Sequence, residues 1–198
     1  MVNVSFMETQ FAAGPVFAEG TVAVQVIVLV QPPVSLEDAP LRETLKAVLA
    51  APVARRVLAL GGAGEDWLPA GFDLIAQRGG DQGERMAAAL ADAYATAALP
   101  MLLLRADAPD ISADMIEEAA RSLISAEADA VFGPASDGGC WLLGLRRPDR
   151  SLLIGTPAPA SGAGAGAGRL LLERLAAAGM RVALAPRLEV VAAPALRF

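Results

Sequence analysis

Apolar runs of strand length recur along this chain, most of them followed by a stretch with helical spacing. That alternation points to a βα architecture with a largely parallel sheet. Val22 to Val30 is the first such run, and a helical pattern follows from about Pro40 to Ala50, with Leu41, Leu45, Val48 and Leu49 on one face and Asp38 or Ser35 placed to cap it. Arg55 to Leu60 and Phe72 to Gln77 read as the next strands, and a helix with Met86, Leu90, Ala93, Tyr94 and Ala97 on its apolar face opens after Gly79-Gly80. Met101 to Arg105 is a strand leading to a helix from about Ala113 to Ala126, capped by Ser112. Val131-Phe132 and Cys140 to Leu145 are two further strands across a turn, a helix from about Arg169 ends at Gly179, and Arg181 to Ala185 and Leu188 to Val191 close the pattern. Pro157 to Gly168 is low in complexity, rich in glycine and alanine, and reads as a mobile loop; it lacks the lysine of a phosphate-binding loop.

A chain of 198 residues that is 55% hydrophobic can bury one sizeable core, so residues 21–198 are expected to form a single domain. Residues 1–20 stand apart as an extension, either an arm that docks on a neighbour or a disordered leader; an arm of this kind and the apolar composition are compatible with a homodimer. The net charge of −6 argues against nucleic acid and anionic lipid as partners. The first twenty residues carry no basic residue but hold Glu8 and Glu19, unlike a signal peptide, and Val22 to Val30 is interrupted by Gln25 and too short to span a bilayer. With a single cysteine, Cys140, the expectation is a cytoplasmic protein.

The absence of histidine restricts the chemistry most: neither imidazole bases nor His-ligated zinc are available, so carboxylates must do any acid-base or metal work. Lys46 is the only lysine and every other basic side chain is arginine, a bias that a GC-rich genome explains.

Two carboxylates stand at strand ends, where open α/β sheets bind ligands. Asp107 ends the run Met101 to Ala106 and precedes Ala108-Pro109; it suits a divalent cation or, more plainly, a turn. Asp137 precedes Gly138 and Gly139, a pair that admits close backbone approach to a ligand and is equally a hairpin signal. Asp81 and Glu84 have capping-box spacing, and Arg85 in the same first turn is placed to pair with a phosphate or a base edge. Cys140 beside Trp141 has no base to activate it and reads as a small buried strand residue.

The order Gly80-Asp81-x-Gly83-Glu84-Arg85-Met86, Asp107-Ala108-Pro109, Gly133-Pro134-Ala135-x-Asp137-Gly138-Gly139 and Leu142-Leu143-Gly144-Leu145 resembles a family of small bacterial nucleotide-diphospho-sugar transferase-like proteins of glycosyltransferase-A type, distant relatives of cofactor guanylyltransferases. The resemblance covers about residues 53–147. It implies a three-layer α/β/α sandwich with a mixed, mostly parallel sheet, and metal-dependent glycosyl or nucleotidyl transfer from a nucleotide-activated small-molecule donor. By the same resemblance Asp107 would hold Mg²⁺ or Mn²⁺ with Glu189 as second ligand, and Asp137, Gly138 and Gly139 would face the sugar or acceptor. Arg85 would neutralise the leaving diphosphate beside Asp81, and Asp137 would take the acceptor's proton. The chain departs from the family after the first strand, where Gln31-Pro32-Pro33-Val34-Ser35-Leu36 replaces a Pro-Gly and Lys-Thr-Arg-Leu stretch, and near the end, where Glu189 alone stands for an Asp-x-Asp-Thr-Pro element. The alternative is therefore a degenerate, non-catalytic member serving as a ligand-binding or partner module.

Overall fold

The computed structural model describes residues 17–30, 38–61, 69–125, 127–156 and 166–190. In chain order the elements are β1 (Val22–Val30), α1 (Ala39–Ala50), β2 (Val53–Leu60), β3 (Asp73–Ala76), α2 (Gln82–Thr96) and β4 (Met101–Arg105). They continue with α3 (Ala113–Ile124), β5 (Ala130–Pro134), β6 (Cys140–Leu145), α4 (Arg150–Leu153), α5 (Ala167–Ala177) and β7 (Val182–Leu184). The strands form one seven-stranded sheet of order β3-β2-β1-β4-β6-β5-β7, in which β6 runs antiparallel to both neighbours and every other pairing is parallel.

Strand periodicity decides the layers. Even-numbered β1 residues Val24, Val26 and Val28 pack with Leu41, Leu45 and Val48 of α1 and Ile116, Ala120 and Leu123 of α3. Odd-numbered Ile27 and Leu29 pack with Leu90 and Ala93 of α2, Leu152 and Leu153 of α4, and Leu171 and Leu175 of α5. The sheet is thus covered on both faces, which is why its central strands read as continuous apolar runs rather than alternating ones. Gln25, the one polar residue inside β1, is buried yet satisfied: its amide donates to the carbonyls of Ala97 (2.8 Å) and Leu99 (3.3 Å), and its Oε1 accepts from Arg55 (2.9 Å). Among the described residues no helix is long and apolar enough to cross a membrane.

Several boundaries differ from the sequence expectation. β2 begins at Val53 and β3 spans only Asp73–Ala76, while α3 stops at Ile124. The short helix α4 was not anticipated, being a single turn with too few residues to show a period. Leu188 to Val190 is not a strand; Leu188 makes one bridge, to Ala135. α5 starts at Ala167, inside the glycine-alanine stretch, because Gly168 docks on the Asp137 turn: its N–H donates to Gly138 O at 2.9 Å, and a Cβ there would lie 2.6 Å from Gly139 O. Residues 1–16, most of the extension, lie outside the described residues, as do 31–37 and 157–165.

Candidate active site

β1 is flanked on one side by β2 and β3 and on the other by β4, so the chain reverses its direction of sheet growth between β1 and β4. Open α/β sheets bind ligands at the carboxyl ends of the strands at such a point. Arg105 ends β4 there, opposite Leu29 of β1. Alternation with Met101 and Leu103 puts its side chain on the α2/α5 face.

The guanidinium of Arg105 joins the two carboxylates that the sequence singled out. Its Nε donates to Asp107 Oδ1 at 2.9 Å and Nη2 to Asp107 Oδ2 at 2.6 Å, a two-pronged fork, while Nη1 donates to Asp137 Oδ2 at 2.7 Å. The side chains keep 19% (Arg105), 37% (Asp107) and 26% (Asp137) of their surface exposed, so the cluster is half-sheltered and open to a solute. Burial by itself disfavours the charged guanidinium, but the hydrogen bonds and charges of Asp107, then of Asp137, more than reverse this and hold Arg105 protonated beyond its ordinary range. The triad carries one net negative charge.

Local structure fixes each carboxylate. Asp107 lies in a loop pinned by α1, where the Thr44 hydroxyl donates to Ala108 O at 3.3 Å. Asp137 sits in the hairpin between β5 and β6. Its Oδ1 accepts the Gly139 N–H at 2.9 Å, Gly138 N–H donates to Ala135 O at 3.2 Å, and Gly138 has φ +81°, a conformation that favours glycine. The hairpin reading of Asp137 therefore holds, and the same turn places its carboxylate on Arg105.

The N-terminus of α2 borders the same edge. Asp81 Oδ1 accepts the Glu84 N–H at 2.7 Å while Glu84 Oε2 reaches past the cap to accept the Gly80 N–H at 2.8 Å, a variant of the capping box. Arg85 donates to Gly80 O (3.1 Å) and Gln82 Oε1 (3.2 Å) and makes no ion pair among the described residues. A cavity of about 30 Å³, room for one or two waters, lies between Arg105, Gln82, Thr156, Gly139 and Gly168. Gln77 closes the crevice floor, its amide donating to Val30 O (2.5 Å) and Ala59 O (2.7 Å) at the ends of β1 and β2.

Glu189 is exposed on the segment beside the hairpin, where Ser136 N–H donates to Leu188 O at 2.9 Å and Val190 N–H to Ser136 Oγ at 3.1 Å. Its backbone is thus near Asp137. Among the described residues no three acidic or cysteine side chains gather as a metal cage. Both oxygens of Asp107 accept from Arg105, so a divalent ion on those oxygens would lie against the guanidinium, whose positive charge repels it; the arrangement does not suit a resident metal. Cys140 has no imidazole to activate it, and burial pushes its thiol up to about 11, against a nucleophilic role. Trp141 is fully buried, with its indole N–H on Pro186 O at 2.8 Å, and forms core rather than a stacking platform.

Arg105, which the sequence analysis left without a role, is the residue that brings Asp107 and Asp137 together. A signal existed: a cation two residues after Leu103 on a buried strand face must find anionic partners, and Asp107 stands two residues further on.

Comparison with known proteins places the chain in a family and supports its fold. Residues 44–158, more than half of the chain, match the family described as "Uncharacterized protein conserved in bacteria (DUF2064)". The chain belongs to DUF2064. No curated protein matches it by sequence. In structure, this DUF2064 protein is similar to a Desulfovibrio desulfuricans G20 protein assigned as a nucleotide-diphospho-sugar transferase, with TM-score 0.71 and 21% identity over 86% of this chain and 82% of that one. It is also similar to CMP:2-keto-3-deoxy-manno-octonic acid synthetase complexed with CTP (TM-score 0.57, 14% identity, 87% and 94% covered). A third likeness is to glucosyl-3-phosphoglycerate synthase of Mycobacterium tuberculosis in complex with Mn²⁺, UDP and glucosyl-3-phosphoglycerate (TM-score 0.57, 12% identity, 85% and 70% covered). The fold is therefore that of the nucleotide-diphospho-sugar transferases, as the resemblance in sequence implied.

Proposed function

We propose that this DUF2064 protein transfers a glycosyl or nucleotidyl group from a nucleotide-activated small-molecule donor in the cytoplasm. The observation that carries the reading is the Arg105 bridge between Asp107 and Asp137 at the switch point of the sheet. In support, solved structures of the same fold hold CTP or UDP, and Mn²⁺ accompanies UDP in one of them.

In this reading the donor's phosphates lie over the carboxyl ends of β1 and β4, within reach of Arg105 and of Arg85 at the α2 N-terminus. Fixed cations there stabilise the negative charge that develops on the leaving oxygen as its bond to the transferred group breaks. The acceptor oxygen forms the new bond, and its proton passes to the Asp137 carboxylate, which the Gly139 N–H holds in place. Gly138 and Gly139 keep side chains out of the acceptor's path, and the Asp81 cap keeps the α2 N-terminus formed. Asp107 positions Arg105.

A second reading has its own observation: each carboxylate is already satisfied internally by Arg105, as a purely structural cluster would be. The protein would then have lost nucleotide handling and would bind another ligand or a partner without catalysis. The two separate in a calorimetric and thermal-shift screen of nucleoside triphosphates and nucleotide sugars, each with Mg²⁺, Mn²⁺ or EDTA, on wild type and Asp107→Ala. Binding of one nucleotide that weakens at least about tenfold in the folded mutant supports the transferase reading. A flat screen on folded protein refutes it.

A further inference from the structure

We propose that the Arg105 guanidinium is the resident cation of this crevice, standing in place of a divalent metal ion between Asp107 and Asp137. The proposal deepens the transferase reading and rests on it only for the nature of the ligand.

Three observations lead here. First, the carboxylates face a cation already. Of the four oxygens of Asp107 and Asp137, three accept from Arg105 and the fourth accepts the Gly139 N–H. A magnesium or manganese ion would have to take these same oxygens at about 2.0–2.2 Å, closer than any hydrogen-bond partner. Guanidinium and metal would then sit side by side on the same oxygens, and the repulsion between their charges sets them in competition.

Second, Arg105 is poorly placed to leave. Its backbone is locked in the sheet opposite Leu29, and its side chain is four-fifths sheltered. Yielding to a metal would strand a positive charge in that shelter, next to a doubly charged ion that repels it.

Third, the arginine has donors to spare. A guanidinium carries five N–H groups, and the two carboxylates use three of them. The remaining two, one on each terminal nitrogen, have no partner among the described residues. They suit phosphate oxygens, which arginine recognises through paired donors. Within a triad of net charge −1, these two N–H groups are the donors that an anion would meet.

The test is a titration of Mn²⁺ alone into the folded full-length protein, followed by loss of the free-ion electron paramagnetic resonance signal, for wild type and Arg105→Ala. Wild type is expected to bind Mn²⁺ no tighter than about 1 mM, the weak end of oxygen-ligand sites. Arg105→Ala leaves two carboxylates without their cation and is expected to bind at least about tenfold tighter. Should Arg105→Ala fail to fold, Arg105→Gln keeps a shorter, neutral polar side chain on the strand and removes the charge, and the same tightening is expected. Micromolar Mn²⁺ binding by wild type, or no tightening in a folded variant, overturns the proposal.

A parallel titration with UDP, CDP, GDP and ADP separates this outcome from the fate of the donor reading. Equal nucleotide affinity in EDTA and in Mn²⁺ is expected, and affinity that requires Mn²⁺ overturns the proposal. Absence of nucleotide binding in both conditions strikes the donor reading, while the Mn²⁺ titration still decides the role of Arg105.

Discussion

Gly83→Ala in α2 sets two physical effects of opposite sign against each other. Replacing a helical glycine by alanine gains up to about 1 kcal/mol from propensity alone. In this fold, however, a Cβ on Gly83 would lie 2.0 Å from the Leu153 carbonyl oxygen, well inside the 3.4 Å at which ordinary contact begins. That carbonyl cannot swing away cheaply. It accepts the Thr156 N–H at 3.0 Å, and Arg174 clamps the same turn by donating to Leu152 O (2.9 Å) and Ile154 O (2.8 Å). Overpacking against fixed backbone costs about 1–3 kcal/mol or more, so the net expectation is a loss of about 2 kcal/mol. For a domain of this size that lowers Tm by roughly 4–8 °C. Urea denaturation and a thermal melt of the purified variant measure it. A midpoint equal to or above that of wild type refutes the packing of α2 on the 150–156 turn, because propensity alone predicts that sign.

Other expectations are smaller in scope. Asp81→Ala removes the acceptor for the Glu84 N–H and should lower stability by about 1 kcal/mol in urea denaturation, with Asp81→Asn or Asp81→Ser largely restoring it. The Cys140 thiol, pushed up to about 11 from an ordinary value of 9.0, should react with iodoacetamide at pH 8 about a hundredfold more slowly in native than in unfolded protein. Because the folded state holds that proton more tightly, its share of stability is present below pH 9 and lost as the pH rises toward 11.

What the sequence disclosed and what it hid follow from range. The Asp81–Glu84 capping box and the Asp137-Gly138-Gly139 turn are written in consecutive residues, so their geometry was legible before any fold was known. The apolar runs at Val22–Val30 and Met101–Arg105 likewise announced central strands. The bridge from Arg105 to Asp137 depends instead on β6 pairing antiparallel with β4, Leu104 opposite Leu142, and no local pattern encodes that register. The same holds for the seating of Gly168 on the hairpin, which turned an expected loop into the first turn of α5. Arg105 went without a role because its partner Asp137 lies 32 residues further along the chain and only the β4–β6 register brings them together. Its consequence is large: Asp107, expected as a metal ligand, lies in the fork of an arginine.

An anionic nucleotide donor is expected to bind at the switch point around Arg105. An NMR titration of isotopically labelled protein with the nucleotide that binds best locates it. Amide shifts are expected to concentrate at residues 77–82, 105–107 and 137–139 on one edge of the sheet. Shifts confined to other surfaces, or none at saturating nucleotide, contradict it.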